Sequence, residues 1–263
     1  MDVDLYRDRP DLYDLLHDEQ TADLVFYGGL AQALVPPGGS ALELGCGSGR
    51  VMEALLREGL EVTGVDAAEP MLDRARRRLD RFGAQARPIQ GDMRRLEALP
   101  LRPEGYDLIV CAVNTFMHLE DHAAQAACLA GIRACLAPDG TAVLDLANPF
   151  HAITLPQGTL TLRRHTYDLA TGRQVSVTGV LEVDPTAPRV VDRLFFDEWG
   201  ADTDGAVRRS SSLVELRLVF MPELELLLSA VGLGITDAYG DYELGPYNAA
   251  ADRMIVVLRA YRT

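Results

Sequence analysis

The sequence predicts an α/β fold: a mostly parallel, seven-stranded sheet with helices on both faces, into which an antiparallel β-sheet is inserted. Three patterns carry this prediction. Short apolar runs alternate with segments of helical period over the first 150 residues, as in a parallel sheet covered by helices. From residue 151 to about 219 that alternation gives way to consecutive strand-like runs. Between the first apolar run and the helix after it lies Gly45-Cys46-Gly47-Ser48-Gly49, with a glycine at every second position.

The elements follow in order. The first forty residues read as helical, most clearly in DEQTADLVFYGGLAQAL, and Pro36-Pro37-Gly38-Gly39 breaks the chain. SALELG is the first strand and GRVMEALLREG the helix behind it. EVTGVD, ending in Asp66, is the second strand. Pro70 suits a first helical position and opens PMLDRARRRLDRFG. ARPIQGDM holds the third strand. YDLIVCAVN is the fourth; being nearly all apolar, it is expected to be buried on both faces. Asp121 is a suitable cap for a helix running through Leu136, and PDGTAVLDLAN is a turn and a fifth strand. TLTLRRHTYDL, RQVSVTGVLEVD, RVVDRLFFDEW and VRRSSSLVELRLVF read as antiparallel strands separated by the turns ATG, PTAP and ADTDG. MPELELLLSAVGL is a helix, and GITDAYGDYEL and DRMIVVLRAY are the last strands. The expected organisation is one α/β domain, residues 1–150 and 220–263, with residues 151–219 as an insert.

Composition narrows the function classes. The chain has 263 residues, 48% of them hydrophobic, enough for a full core. Formal net charge is −14, and every basic side chain other than histidine is arginine. Such a surface repels phosphate backbones, so nucleic acid is not an expected partner. No run is long and apolar enough for a membrane span, and the acidic start is no signal peptide. A cytoplasmic protein without a membrane partner is expected. Cys46, Cys111, Cys128 and Cys135 show no CxxC spacing and read as buried, reduced thiols. No metal-ligand pattern is present.

A tight strand-to-helix turn needs glycine for positive φ and for close approach of a ligand to the backbone. The helix behind it presents unpaired N–H groups. The dinucleotide fingerprint G-x-G-x-x-G would place its third glycine where Arg50 stands, so this loop is G-x-G-x-G instead. Asp66 ends the second strand where a carboxylate can accept both hydroxyls of a ribose. Gly91-Asp92-Met93 follows the third strand, where Asp92 can receive an adenine amino group and Met93 can pack on the ring.

ELGCGSGR, VTGVDAAEPML, QGDM, YDLIVCAVNTFMHL and LAPDGTAVLDL, in this order, resemble the motifs of the class I S-adenosylmethionine-dependent methyltransferases, a Rossmann-like family. The resemblance covers about residues 40–150 and 220–260. YGDYELGPYNAAADRMIVVLRA and the N-terminal YDLL are similar to a small-molecule, N-methyltransferase-like subset. The resemblance implies S-adenosylmethionine as cofactor. Glu43 would face its amino group, Gly45 and Gly47 would pass under its methionine and ribose, and Asp66 would hold the ribose. Asp92 and Met93 would hold adenine, and Asn114 would lie near the methyl group. Tyr13, Cys46, Ala67 and Met71 complete the implied cofactor set.

Methyl transfer from a sulfonium is an in-line displacement that needs positioning, desolvation and sometimes a base. His118, four residues past Asn114, is the first candidate base. Tyr6, Tyr13 and Tyr242 are further candidates. His151, His165 and the pairs Arg163-Arg164 and Arg208-Arg209 lie in or beside the insert and are weaker candidates for substrate contact, the arginines for an anionic group. The insert follows the fifth strand, so it is expected to roof the active site or to form a homodimer interface. The expected partner is a small-molecule methyl acceptor carrying an amine or hydroxyl. The alternatives are a methyltransferase acting on RNA or protein, and a non-catalytic S-adenosylmethionine-binding protein.

Overall fold

The computed structural model describes residues 2–167, 172–184, 187–200, 203 and 205–261. Its centre is a seven-stranded sheet in the order β10-β11-β5-β4-β1-β2-β3, as the α/β pattern predicts. β1 (Ser40–Leu44), β2 (Glu61–Asp66), β3 (Ala86–Gln90), β4 (Tyr106–Cys111) and β5 (Leu136–Ala147) pair in parallel. β11 (Arg253–Ala260) runs antiparallel to both β5 and β10 (Leu233–Tyr239). β1 is buried along its whole length and β4 nearly so, because helices cover both faces. One core cluster joins Leu42, Ile109, Leu144 and Val256 to helices α5 (His122–Cys135) and α7 (Met221–Ala230). A second joins Ala41, Val62 and Val110 to α2 (Ala22–Leu34) and α3 (Arg50–Arg57).

β6 (Leu160–Tyr167), β7 (Gln174–Asp184), β8 (Arg189–Trp199) and β9 (Arg208–Arg217) form a separate four-stranded antiparallel sheet. The burial of β7 alternates residue by residue, as a sheet with one covered face requires. Parts of the turns at 170–172, 185–188 and 201–205 lie outside the described residues.

The N-terminal segment ties the two sheets together. Val3 N–H donates to the Ser211 carbonyl of β9 at 2.7 Å. Helix α1 (Pro10–His17) is held to β8 by Arg9, whose guanidinium donates to both oxygens of the nearly buried Glu198 at 2.8 and 3.0 Å. Its other end is held to α4 (Glu69–Leu79) by an ion pair between Asp14 and Arg74.

Three boundaries differ from the sequence reading. The helical N-terminus is two helices, broken between His17 and Ala22. The stretch after Phe150 begins with a short helix, α6 (Pro149–Thr154), because Asn148 caps it by accepting from the Phe150 N–H at 3.2 Å. β10 stops at Tyr239; Asp241 then accepts from the Glu243 and Gly245 N–H groups and turns the chain. Asp121 does cap α5, accepting from the Ala124 N–H at 2.8 Å. All four cysteines are free thiols; Cys46, Cys111 and Cys128 are buried and Cys135 half-buried.

Candidate active site

The strand order changes direction between β1 and β4, and ligands of open α/β sheets bind at the carboxyl ends of the strands beside such a point. A cleft of about 1010 Å³ opens there. Gly45 and Gly47 from the loop after β1, Asp66 and Ala67 after β2, and Asp92 and Met93 after β3 line it. Asn114 and His118 after β4, Met71 of α4 and Tyr6 and Tyr13 from the N-terminal segment complete its near wall.

The glycine loop is shaped by conformation and by space. Gly45 has φ +64°, and a Cβ there would collide with the Thr115 side chain from the loop after β4. Gly47 and Gly49 also have positive φ, 52° and 82°. Asp66 braces the loop: its carboxylate accepts from the Gly47 N–H and from the Ala68 N–H, each at 2.8 Å. Arg50, in place of a third glycine, has a structural partner: it donates to both oxygens of buried Asp23 and ties α3 to α2.

Across the cleft Val113 and Asn114 both have positive φ, 42° and 67°. That conformation is rare for a β-branched residue and is held from behind. The Asp145 side chain accepts from the Val113 N–H at 3.3 Å, and its carbonyl accepts from the Asn114 N–H at 2.9 Å. Asp145 is wholly buried in β5, where it also accepts from Tyr27 Oη at 2.6 Å, Tyr242 Oη at 2.9 Å and Arg253 Nε at 2.8 Å. The Asn114 side-chain oxygen has no hydrogen-bond partner among the described residues.

His118 lies in the turn Thr115–His118, with Nε2 3.2 Å from the Tyr6 hydroxyl. Burial lowers the pKa of the imidazole, favouring its neutral form, and raises that of the Tyr6 phenol, with Tyr13 and Asp66 adding to the rise. At neutral pH the pair is therefore neutral, with the Tyr6 hydroxyl able to donate to His118 Nε2. Tyr13 is also held neutral by burial, its ring centroid 4.4 Å from that of His17. Asp92 is half-buried and its carboxyl lowered, chiefly by Arg94.

Three expected site residues are not brought to the cleft wall. Glu43 is 3% exposed beneath the glycine loop; burial raises its carboxyl, and Oε2 has no hydrogen-bond partner among the described residues. Cys46 is buried against β2, its N–H donating to the Val65 carbonyl. Tyr242 does not line the cleft; its hydroxyl donates to the same Asp145 oxygen that accepts from the Val113 N–H, and its ring packs on Phe26. His151 lies beside Asp252 and His165 beside Trp199, and neither lines the cleft. The tight arginine pairs separate: Arg164 pairs with Glu19 and Arg209 with Asp197, while Arg163 faces the cleft. Sequence reasoning missed Asp145; the signal was a carboxylate inside the apolar run AVLDLA, which burial obliges to find donors. It also missed Asp192, Leu181 and Leu216, which line the cleft from the four-stranded sheet.

The site fits an adenosyl sulfonium carrying an amino acid. A cradle that a Cβ would fill lies beside a carboxylate braced on backbone N–H groups, with an unpartnered carboxylate oxygen of Glu43 beneath and an unpartnered amide oxygen of Asn114 opposite.

Residues 41–140 match the family model of a methyltransferase domain. The chain is 32% identical over 224 residues to the cypemycin N-terminal methyltransferase of a Streptomyces species, covering 84% of this chain and 83% of that protein. It is similar to the CcbJ methyltransferase of Streptomyces caelestis, with a TM-score of 0.75, 26% identity and 94% and 95% of the two chains covered. The fold also matches S-adenosylmethionine-bound CalS10, an amino pentose methyltransferase from Micromonospora echinaspora, with a TM-score of 0.74, 20% identity and 99% and 100% covered. No helix among the described residues is long and apolar enough to cross a membrane. With its glycine cradle, strand order and these relatives, the chain belongs to the class I S-adenosylmethionine-dependent methyltransferases, enzymes that take S-adenosylmethionine as cofactor.

Proposed function

We propose that the enzyme methylates an amino group of a small molecule. The observation that carries this reading is the Tyr6–His118 pair, a neutral proton acceptor in a cleft rich in carboxylates. Asp4, Asp66, Asp92, Glu120, Asp121 and Asp192 face Arg7, Arg94 and Arg163 there, a balance that favours a cation on entry. An ammonium must lose a proton before its nitrogen can attack. In a concerted relay the Tyr6 hydroxyl passes its own proton to His118 Nε2 while its oxygen takes the ammonium's; the lowered pKa of His118 keeps that nitrogen unprotonated at neutral pH.

When bound, S-adenosylmethionine supplies an activated methyl group on a sulfonium. The residues that hold it in this reading are the backbone of Gly45 and Gly47, Asp66 for the ribose, Asp92 and Met93 for adenine, and Asn114 toward the methyl group. Ala67, Met71 and Tyr13 flank it, and Glu43 acts from beneath the loop. Asp92 gives up Arg94 to do this; that pair is exposed and opens at little cost. The four-stranded sheet roofs the acceptor space and excludes water, which favours a displacement with sulfur leaving in line with the incoming nitrogen.

One relative gives a second reading. The cypemycin enzyme acts, by its name, on an N-terminus, and a peptide amino terminus presents the same chemistry to this cleft. The test is a turnover screen with S-adenosylmethionine over amino sugars, amino acids, short peptides and phenols, reading S-adenosylhomocysteine and product mass. Methylated amines are expected. Turnover of phenols alone would replace amine by hydroxyl, and binding without any product would mark a non-catalytic protein.

A further inference from the structure

Where the four-stranded sheet lines the cleft, its described residues are apolar except for one ion pair. Leu181 of β7, Val190 and Leu194 of β8, and Val214 and Leu216 of β9 line it. Asp192 stands among them: Val190 and Leu194 lie two residues away on its own strand, and Leu181 and Val214 are its cross-strand partners. Its Oδ1 accepts from Arg163 at 3.3 Å; Oδ2 has no hydrogen-bond partner among the described residues.

Two further features keep this pair where it is. Arg163 sits at a register shift between Leu162 and Arg164 in β6, and such a bulge re-aims a side chain. Beside it on β7 is Gly179, where a Cβ would come within 2.8 Å of Arg163 Nε and 3.1 Å of Asp192 Oδ1. The missing side chain leaves the pair room to lie across the strand. A half-buried ion pair with one long hydrogen bond adds little stability, and apolar residues in place of both partners would complete the wall at little cost. Burial raises the Asp192 carboxyl, and Arg163 opposes the rise.

We propose that Asp192, set in this wall beside Arg163, is the acceptor-binding anchor, taking a positively charged amino group whose apolar substituent packs on Leu181, Val214 and Leu216. The acceptor class is thereby an amphipathic amine rather than a polyhydroxylated one. This rests on the amine reading above. Arg163 holds the empty carboxylate and competes with the incoming cation, so the two residues act in opposite directions on binding.

The experiment uses simple probes on the full chain saturated with S-adenosylhomocysteine. Calorimetric titration compares n-hexylamine, charged at neutral pH, with 1-hexanol. The wild type is expected to bind the ammonium about tenfold more tightly, the worth of one partly screened charge contact. Asp192→Asn removes that preference and leaves hexanol and S-adenosylhomocysteine affinities unchanged. Arg163→Gln strengthens ammonium binding several-fold and leaves hexanol alone, an outcome readable even if the Asp192 variant does not fold. Equal affinity for the two probes, binding of neither, or an Arg163→Gln variant that holds the ammonium less well overturns the proposal. Turnover of amines untouched by Asp192→Asn would remove this anchor and leave amine methylation standing. An intact ammonium preference with no amine ever methylated would do the reverse.

Discussion

The two sheets wall one cleft with different materials. The seven-stranded sheet presents loops fixed in unusual backbone conformations, the turn at Gly45 and Gly47 and the positive-φ pair Val113–Asn114, together with the side chains of Asp66, Asp92 and His118. Its central strands are buried on both faces, so shifting the loops at their ends would disturb the core behind them. The four-stranded sheet presents side chains alone, on one face of alternating strands. A wall of side chains can be altered one residue at a time without moving a strand. In the reading proposed above, that suits the first sheet to the cofactor and the second to the acceptor.

The largest expected effect sets Asp145 against Asp192. Asp145→Ala strands the mostly buried Arg253, Tyr27 and Tyr242 without their acceptor and should destabilise the protein by about 3–5 kcal/mol in urea unfolding. Asp192→Ala should lose less than about 1 kcal/mol, because its pair is partly exposed. Equal losses would end the contrast between a structural sheet and a replaceable one.

Next is His118→Ala, which should slow turnover of whichever acceptor the screen identifies by about 10²-fold or more while leaving the S-adenosylhomocysteine dissociation constant within about twofold. A matched loss of affinity would make His118 part of the cofactor wall. Asp66→Ala sharpens the other half: cofactor affinity should fall by about 1.5–3 kcal/mol, read by calorimetry. An unchanged constant would mean that the carboxylate only braces the loop.

The smallest effect concerns the seam between the sheets. His17, beside Tyr13 on α1, has its pKa lowered from 6.5 to about 4, first by burial and then by Arg50. The native state therefore binds fewer protons than the unfolded chain in that window, and stability rises with pH. Its contribution is full above pH 6.5 and is lost as pH falls through about 4. His17→Gln should flatten the melting-temperature profile between those values, and a profile parallel to wild type would locate acid sensitivity elsewhere.

Much of this molecule could be read along the chain. The alternation of apolar runs and helical periods yielded all seven central strands, and the rhythm after Phe150 yielded the four of the second sheet. That Asp66, Asp92 and Asn114 line the cleft was legible because each stands at or just past the end of a strand. Periodicity and turn chemistry act over neighbouring residues, so a linear reading captures them. What it could not capture are partnerships across distance. Tyr6 and His118 are 112 residues apart, and Tyr27 and Asp145 are 118 apart. The same blindness named Tyr242 without its partner, the Asp145 carboxylate 97 residues away. It also joined Arg163 to Arg164 as one grip, although the bulge sends one to the cleft and the other to Glu19. Which carboxylate meets which donor depends on strand order and register, and these are settled by the packing of the whole core and not by any short stretch of chain.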